Sequence, residues 1–244
     1  MIEQNLPQFF RAMTAFLDGT GSLQDTILSM GDSPSRHEQF YWYRSMVQGN
    51  PLRLLETVYD IVKTHAGDDI FKQICIDHLT NQKPDHWDLP RLALGFRESA
   101  EKVVARDSTI PVTVGYLADW EELLFQLRTF ATAPMQADGL NPTLELRQYS
   151  FDVRGYRNAV RKGEKPAIME ERDVIYLAYR QVDTSRIKVI KPSVPELLLI
   201  AFGQGELSVE EFRKVDLPTA TVDSALAALK KKQIVGADFA GPLL

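Results

Sequence analysis

The chain has 244 residues, 44% hydrophobic and 25% charged, with a net charge of −5, the proportions of a soluble globular protein of one or two domains. No apolar run approaches the roughly 18–20 residues that span a bilayer, and Met1 to Asn5 lacks the basic start and apolar core of a signal peptide. The single Cys75 excludes an intrachain disulfide and a Cys-rich metal site, so a cytoplasmic protein without membrane association, metal or cofactor is expected.

Residues 1–135 read as an all-helical bundle. Leu6, Phe9, Phe10, Met13, Phe16 and Leu17 share one face at i, i+3, i+4, i+7 spacing, and Gly19-Thr20-Gly21 ends that helix. Ser33 as N-cap with Pro34 at the first helical position starts a second, carrying Phe40, Tyr43, Met46 and Val47. Gly49-Asn50-Pro51 is expected to break it, with a third helix on Leu52, Leu55, Val58, Tyr59 and Val62. Asp68 caps a fourth with Ile70, Phe71, Ile74 and Leu79; Leu92, Phe96 and Val103 mark a fifth, and Leu117 to Ala131 a sixth. Short polar connections between amphipathic helices favour a compact bundle.

Ala133 to Pro142 is the expected linker, after which the period changes. Thr143 to Arg147 alternates like a half-buried strand, Val174 to Tyr179 is a continuous apolar run, and Arg186 to Val189 alternates again. Asp183-Thr184-Ser185 makes a hairpin of the last two, while residues 151–172 read as part helix and part loop. Ser193-Val194-Pro195-Glu196 and Ser208-Val209-Glu210-Glu211 are S-x-x-E capping boxes that open two short helices. Gly203-Gln204-Gly205 stops the first of them. A third helix over Val222, Ala225, Leu226 and Leu229 ends at Lys230-Lys231-Lys232, and Ile234-Val235 reads as the start of a strand. The expected fold is α+β and mostly helical: a bundle over 1–135, then a smaller strand-plus-three-helix, winged-helix-like domain over 143–244.

A winged-helix order points to DNA or to a peptide. Residues 1–137 carry 12 Lys/Arg against 18 Asp/Glu, a net of −6, and residues 138–244 carry 16 against 15, a net of +1. Neither half has the basic excess of a protein held on phosphates. The DNA candidates are Lys230, Lys231 and Lys232, yet the base-reading half of that helix, Thr221 to Ala225, holds Asp223 and no Arg, Asn or Gln. Cations at a helix C-terminus also favour the macrodipole without any ligand. Arg154, Arg157, Arg161 and Lys162 form a second basic cluster. For a peptide, the candidates are Arg186, Ile187, Lys188 and Val189, a strand leading into the first helix of the module, where an extended chain can add by main-chain hydrogen bonds. The competing reading is an internal strand with both edges paired.

Catalysis finds little. His78, Asp85, His86 and Asp88 cluster in sequence and could suggest metal ligands, but they lack metal-ligand spacing, and surface polars with a half-buried histidine are the favoured reading. Cys75 between Ile74 and Ile76 reads as a buried structural thiol.

Several further pieces carry a resemblance: Tyr43-Arg44, Leu52, Leu55 and Tyr59, Gly67-Asp68-Asp69-Ile70-Phe71, Asp88-Leu89, Phe96, and Tyr116-Leu117-Ala118-Asp119-Trp120-Glu121. Their order and spacing over about residues 5–132 resemble the HvfC/BufC family, whose N-terminal domain carries a DNA-binding label. Lys83-Pro84 stands where a His-Pro-like pair is expected, and Gly115 where proline is usual. The resemblance implies a non-catalytic accessory subunit. Its relatives pair with a TIM-barrel, multi-iron oxygenase that modifies cysteines in a ribosomally made precursor peptide, and they help present that peptide.

Overall fold

A computed structural model describes residues 6–18, 21–30, 37–81, 89–130, 134–166 and 173–242. The described chain is mostly helical, with one small antiparallel sheet. Its first half forms α1 (Leu6–Asp18), α2 (Leu23–Met30), α3 (His37–Val58), α4 (Asp60–Ala66), α5 (Asp68–Asn81), α6 (Leu89–Leu92), α7 (Phe96–Arg106) and α8 (Thr113–Thr129). The Gly19-Thr20 part of the first helix stop and the Ser33-Pro34 start lie outside the described residues.

Gly49-Asn50-Pro51 does not end a helix: α3 runs through Pro51 for 22 residues. A proline removes one i→i−4 hydrogen bond and crowds the preceding turn, which kinks or breaks a helix; here the helical turns continue on both sides of it. The chain breaks instead at Tyr59 (φ −112°, ψ 40°). Its ring is buried and stacks on Phe96 at 4.0 Å between centroids, while its hydroxyl donates to the Ala93 carbonyl. The expected fifth helix is two pieces, because Gly95 takes φ 77° and starts α7 afresh.

The second half contributes β1 (Glu145–Tyr149), α9 (Val153–Arg161), β2 (Val174–Arg180), β3 (Ile187–Ile190), α10 (Val194–Gly203), α11 (Val209–Lys214) and α12 (Thr219–Lys231). The sheet order is β1-β2-β3, antiparallel throughout. β1 starts two residues later than the alternation suggests. The Arg180 N–H is met there by the Thr143 hydroxyl at 2.8 Å in place of a ladder carbonyl.

Both faces of the sheet are covered, which is why β2 reads as an unbroken apolar run. On one face Tyr149, Tyr176 and Ala178 meet Trp120, Leu123 and Leu127 of α8, with Ile187 and Val189 packed beside them. On the other, Leu177, Tyr179 and Ile190 meet Leu199, Phe212, Val222 and Leu229 from α10–α12. The large helical core of Leu55, Phe71, Phe96, Leu117 and Trp120 therefore continues across the 135/143 boundary into Tyr149, Phe151, Val153, Val160 and Tyr176.

The linker is pinned to the C-terminal segment. Asn141, buried, donates to the Arg180 and Gln233 carbonyls at 3.0 Å each and accepts from the Thr143 N–H at 2.9 Å. The expected strand at Ile234-Val235 reduces to one bridge, Val235 to Leu140. Gly236 lies so close to residue 137 that a Cβ there would sit 2.0 Å from the Ala137 carbonyl oxygen. The chain then turns, with the Asp238 N–H donating to that oxygen at 2.7 Å. Among the described residues no helix is long and apolar enough to cross a membrane.

Candidate functional site

β3 is an edge strand, and its register fixes which groups face outward. Gln181 N–H donates to the Arg186 carbonyl at 2.9 Å, and Arg180 N–H turns the opposite way, to Thr143. Odd-numbered residues of β2 therefore face β3, and the pairs Tyr179–Lys188 and Leu177–Ile190 exchange hydrogen bonds. Ile187 and Val189 fall between them, so their N–H and C=O groups point away from the sheet. The Val189 carbonyl is met by the Arg154 guanidinium of α9 at 3.0 Å. No backbone group among the described residues pairs with the rest of this edge.

The four strand candidates thus divide. Ile187 and Val189 offer main-chain groups while their side chains pack on α8. Arg186 and Lys188 are exposed. Among the described residues the far edge, β1, is also unpaired. There the alternation turns Leu146 and Gln148 outward, and the Arg147 guanidinium covers the Leu146 carbonyl at 3.0 Å.

Both capping boxes form as read. Ser193 N–H and Ser208 N–H each donate to the glutamate three residues on, at 2.9 Å. Glu196, the first of these glutamates, is buried and also binds Lys232 at the end of α12. Of the three DNA candidates, Lys232 is therefore engaged inside the protein, Lys230 is half-buried and Lys231 is exposed. Asp223 stands exposed in the N-terminal half of α12. Between α10 and α12 lies an open groove of about 510 Å³, lined by Ser193, Pro195, Glu196, Thr221, Ser224 and Ala228. The second basic cluster is dispersed: Arg154 is on Val189, Arg157 pairs with buried Glu121 at 3.1 Å, and Arg161 and Lys162 are exposed.

His78 is buried and neutral in character, since burial lowers its pKa. Its Nε2–H donates to the Leu92 carbonyl at 2.6 Å, and its ring meets Phe96 edge-on. Asp85, His86 and Asp88 lie outside the described residues, as does Lys83-Pro84. Burial pushes the Cys75 thiol up to about 12, far from the thiolate that nucleophilic chemistry needs. Among the described residues no three His, Cys, Asp or Glu side chains gather so as to hold a metal ion.

The acids of the Tyr116–Glu121 motif have non-local roles that sequence reading missed. Asp119 binds Arg97 at 2.8 Å and the Tyr149 hydroxyl. Glu121 accepts from the Ile61 and Val62 N–H groups at 3.2 Å, closing the start of α4, which has no side-chain cap of its own. Glu122, next along, accepts from the Gly95 and Arg97 N–H groups and does the same for α7. A helix apolar on every side that still carries three acids has to bury them, and that was the available signal. In the glycine motif, Gly67 takes φ 84° between α4 and α5, and Phe71 is buried near Phe96.

Neither a family model nor a curated protein matches the chain.

Proposed function

We propose that this protein is a non-catalytic accessory protein that receives an extended peptide along the outer edge of β3. The observation that carries the reading is the outward main-chain set of Ile187 and Val189 on an edge strand whose flanks are both covered by helices. Strand addition takes its affinity from such groups. The hairpin running into capped α10, then α11 and α12, is taken as winged-helix-like. Following the HvfC/BufC resemblance, the peptide is a ribosomal precursor and the partner a TIM-barrel, multi-iron oxygenase that modifies its cysteines. The dispersal of the acidic motif into helix caps supports a scaffold role for the bundle.

DNA recognition by Lys230, Lys231 and Lys232 draws less support, because Lys232 is bound to Glu196 and Asp223 faces the solvent on the base-reading half. The test is co-purification with a multi-iron oxygenase, should one be encoded beside this protein, in the presence and absence of a short Cys-containing precursor peptide. A ternary complex at micromolar concentration, weakened by a proline at Ile187 or Val189, is expected. Failure to form any complex, together with salt-sensitive binding of a DNA duplex, would reverse the preference.

A further inference from the structure

The outer edge of β3 is ringed by cations. Arg186 and Lys188 are exposed on or beside the strand, and Arg154 reaches across from α9 to the Val189 carbonyl, while Lys191, which follows the strand, is tied to Asp152 at 3.0 Å. The nearby acid Asp152 is already occupied by the Tyr176 hydroxyl, the Gly155 N–H and Lys191. The β1 edge differs: its arginine, Arg147, is tied to Glu145 at 2.9 Å.

We infer that the β3 edge selects an acidic extended segment, and that Arg154 is the specificity-determining residue. The inference rests on the reading of β3 as a peptide-receiving edge. An incoming strand needs the Val189 carbonyl as an acceptor, and that carbonyl is held by the Arg154 guanidinium. The peptide's N–H must displace it, which leaves a guanidinium without an acceptor beside the new strand. A glutamate or aspartate side chain on that strand restores a charge-assisted hydrogen bond. A neutral segment leaves Arg154 to water, and a basic one meets Arg186, Lys188 and Arg154 with like charge. Arg154 therefore acts twice, as a removable cover over an open edge and as the partner that rewards an acid. Cations on an edge also guard against edge-to-edge pairing, and that simpler role predicts no preference between acidic and neutral peptides.

The test is an NMR titration of the isotope-labelled full chain with three synthetic peptides in which threonine alternates with glutamate, glutamine or lysine. The glutamate peptide is expected to bind about tenfold tighter than the glutamine peptide, the effect of one charge-assisted bond. The lysine peptide should bind most weakly. The Ile187 and Val189 amide signals should move, and their hydrogen exchange should slow. In Arg154→Ala the glutamine peptide should bind more tightly than to wild type, and the glutamate preference should fall to about threefold or less. Arg154→Lys should keep most of it. Equal binding of the glutamate and glutamine peptides, or a full preference surviving in Arg154→Ala, overturns the selectivity of Arg154 and leaves the edge reading standing. If no peptide disturbs Ile187 and Val189, or the shifts fall on Leu146 and Gln148, the edge reading itself fails and takes the inference with it.

Discussion

Glu121 is 3% exposed, yet it is an acid serving two backbone N–H groups and one arginine. Burial pushes its carboxyl up to about 7, opposed by Arg157 and the Val62 N–H. A carboxyl raised in the folded state takes up a proton on folding between its unfolded value, 4.5, and about 7. Its contribution to stability is complete below the lower value and is lost as pH rises toward the upper one. Urea unfolding of wild type should therefore weaken across that window, and Glu121→Gln should flatten the slope. An identical slope in the variant would remove Glu121 as its source. Asp152, Glu196 and Glu211 have lowered pKa values and act in the opposite sense, with stability lost as pH falls below the ordinary carboxylate range, so the two effects separate in pH. Glu121→Ala leaves the partly buried Arg157 without its partner and the start of α4 open, at a cost of about 2–3 kcal/mol, below that of a fully buried pair.

At the scale of elements, short-range and long-range caps had different fates in the sequence. The Ser193–Glu196 and Ser208–Glu211 boxes close within four residues, so their letters alone specify them. The caps that Glu121 and Glu122 place on α4 and α7 span about 60 and 27 residues, and no local pattern announces them. The same distinction explains β3: its alternation was legible, whereas the openness of its edge depends on where β1 and α9 lie. At Gly49-Pro51 the local breaker signal was strong but the surrounding turns outweighed it. Lys230 to Lys232 read as one run, but tertiary contact divides it. Lys232→Ala strands the buried Glu196 carboxylate and should cost about 1–2 kcal/mol, allowing for the partial exposure of the lysine. Lys231→Ala, at an exposed position, should stay within about 0.5 kcal/mol of wild type. Equal effects in thermal or urea melts would contradict the division.

For the whole molecule, the decisive arrangement is a sheet clasped between α8 on one side and α10–α12 on the other. Covering both faces leaves the edges as the places where, among the described residues, main chain stays open, and this gives the peptide reading its geometry. The arrangement also bears on how the halves depend on each other. Cutting after residue 137 strips Trp120, Leu123 and Leu127 of Tyr149, Tyr176, Ala178, Ile187 and Val189. It also takes Arg157 from Glu121, and Arg147 and Tyr149 from Asp119. Each large apolar side chain returned to water costs about 1.5–3 kcal/mol, and a domain has only about 5–15 kcal/mol in hand. The fragment 1–137 should therefore keep helical circular dichroism while losing a sharp melt and binding a hydrophobic dye, as a compact state without fixed packing does. The full chain should unfold in a single transition seen alike by tryptophan fluorescence and circular dichroism. A fragment that melts cooperatively within about 5 °C of the full chain, a shift worth roughly 1–3 kcal/mol in domains of this size, would mean that the helical half carries its own stability and that the shared core is an interface between two independent units.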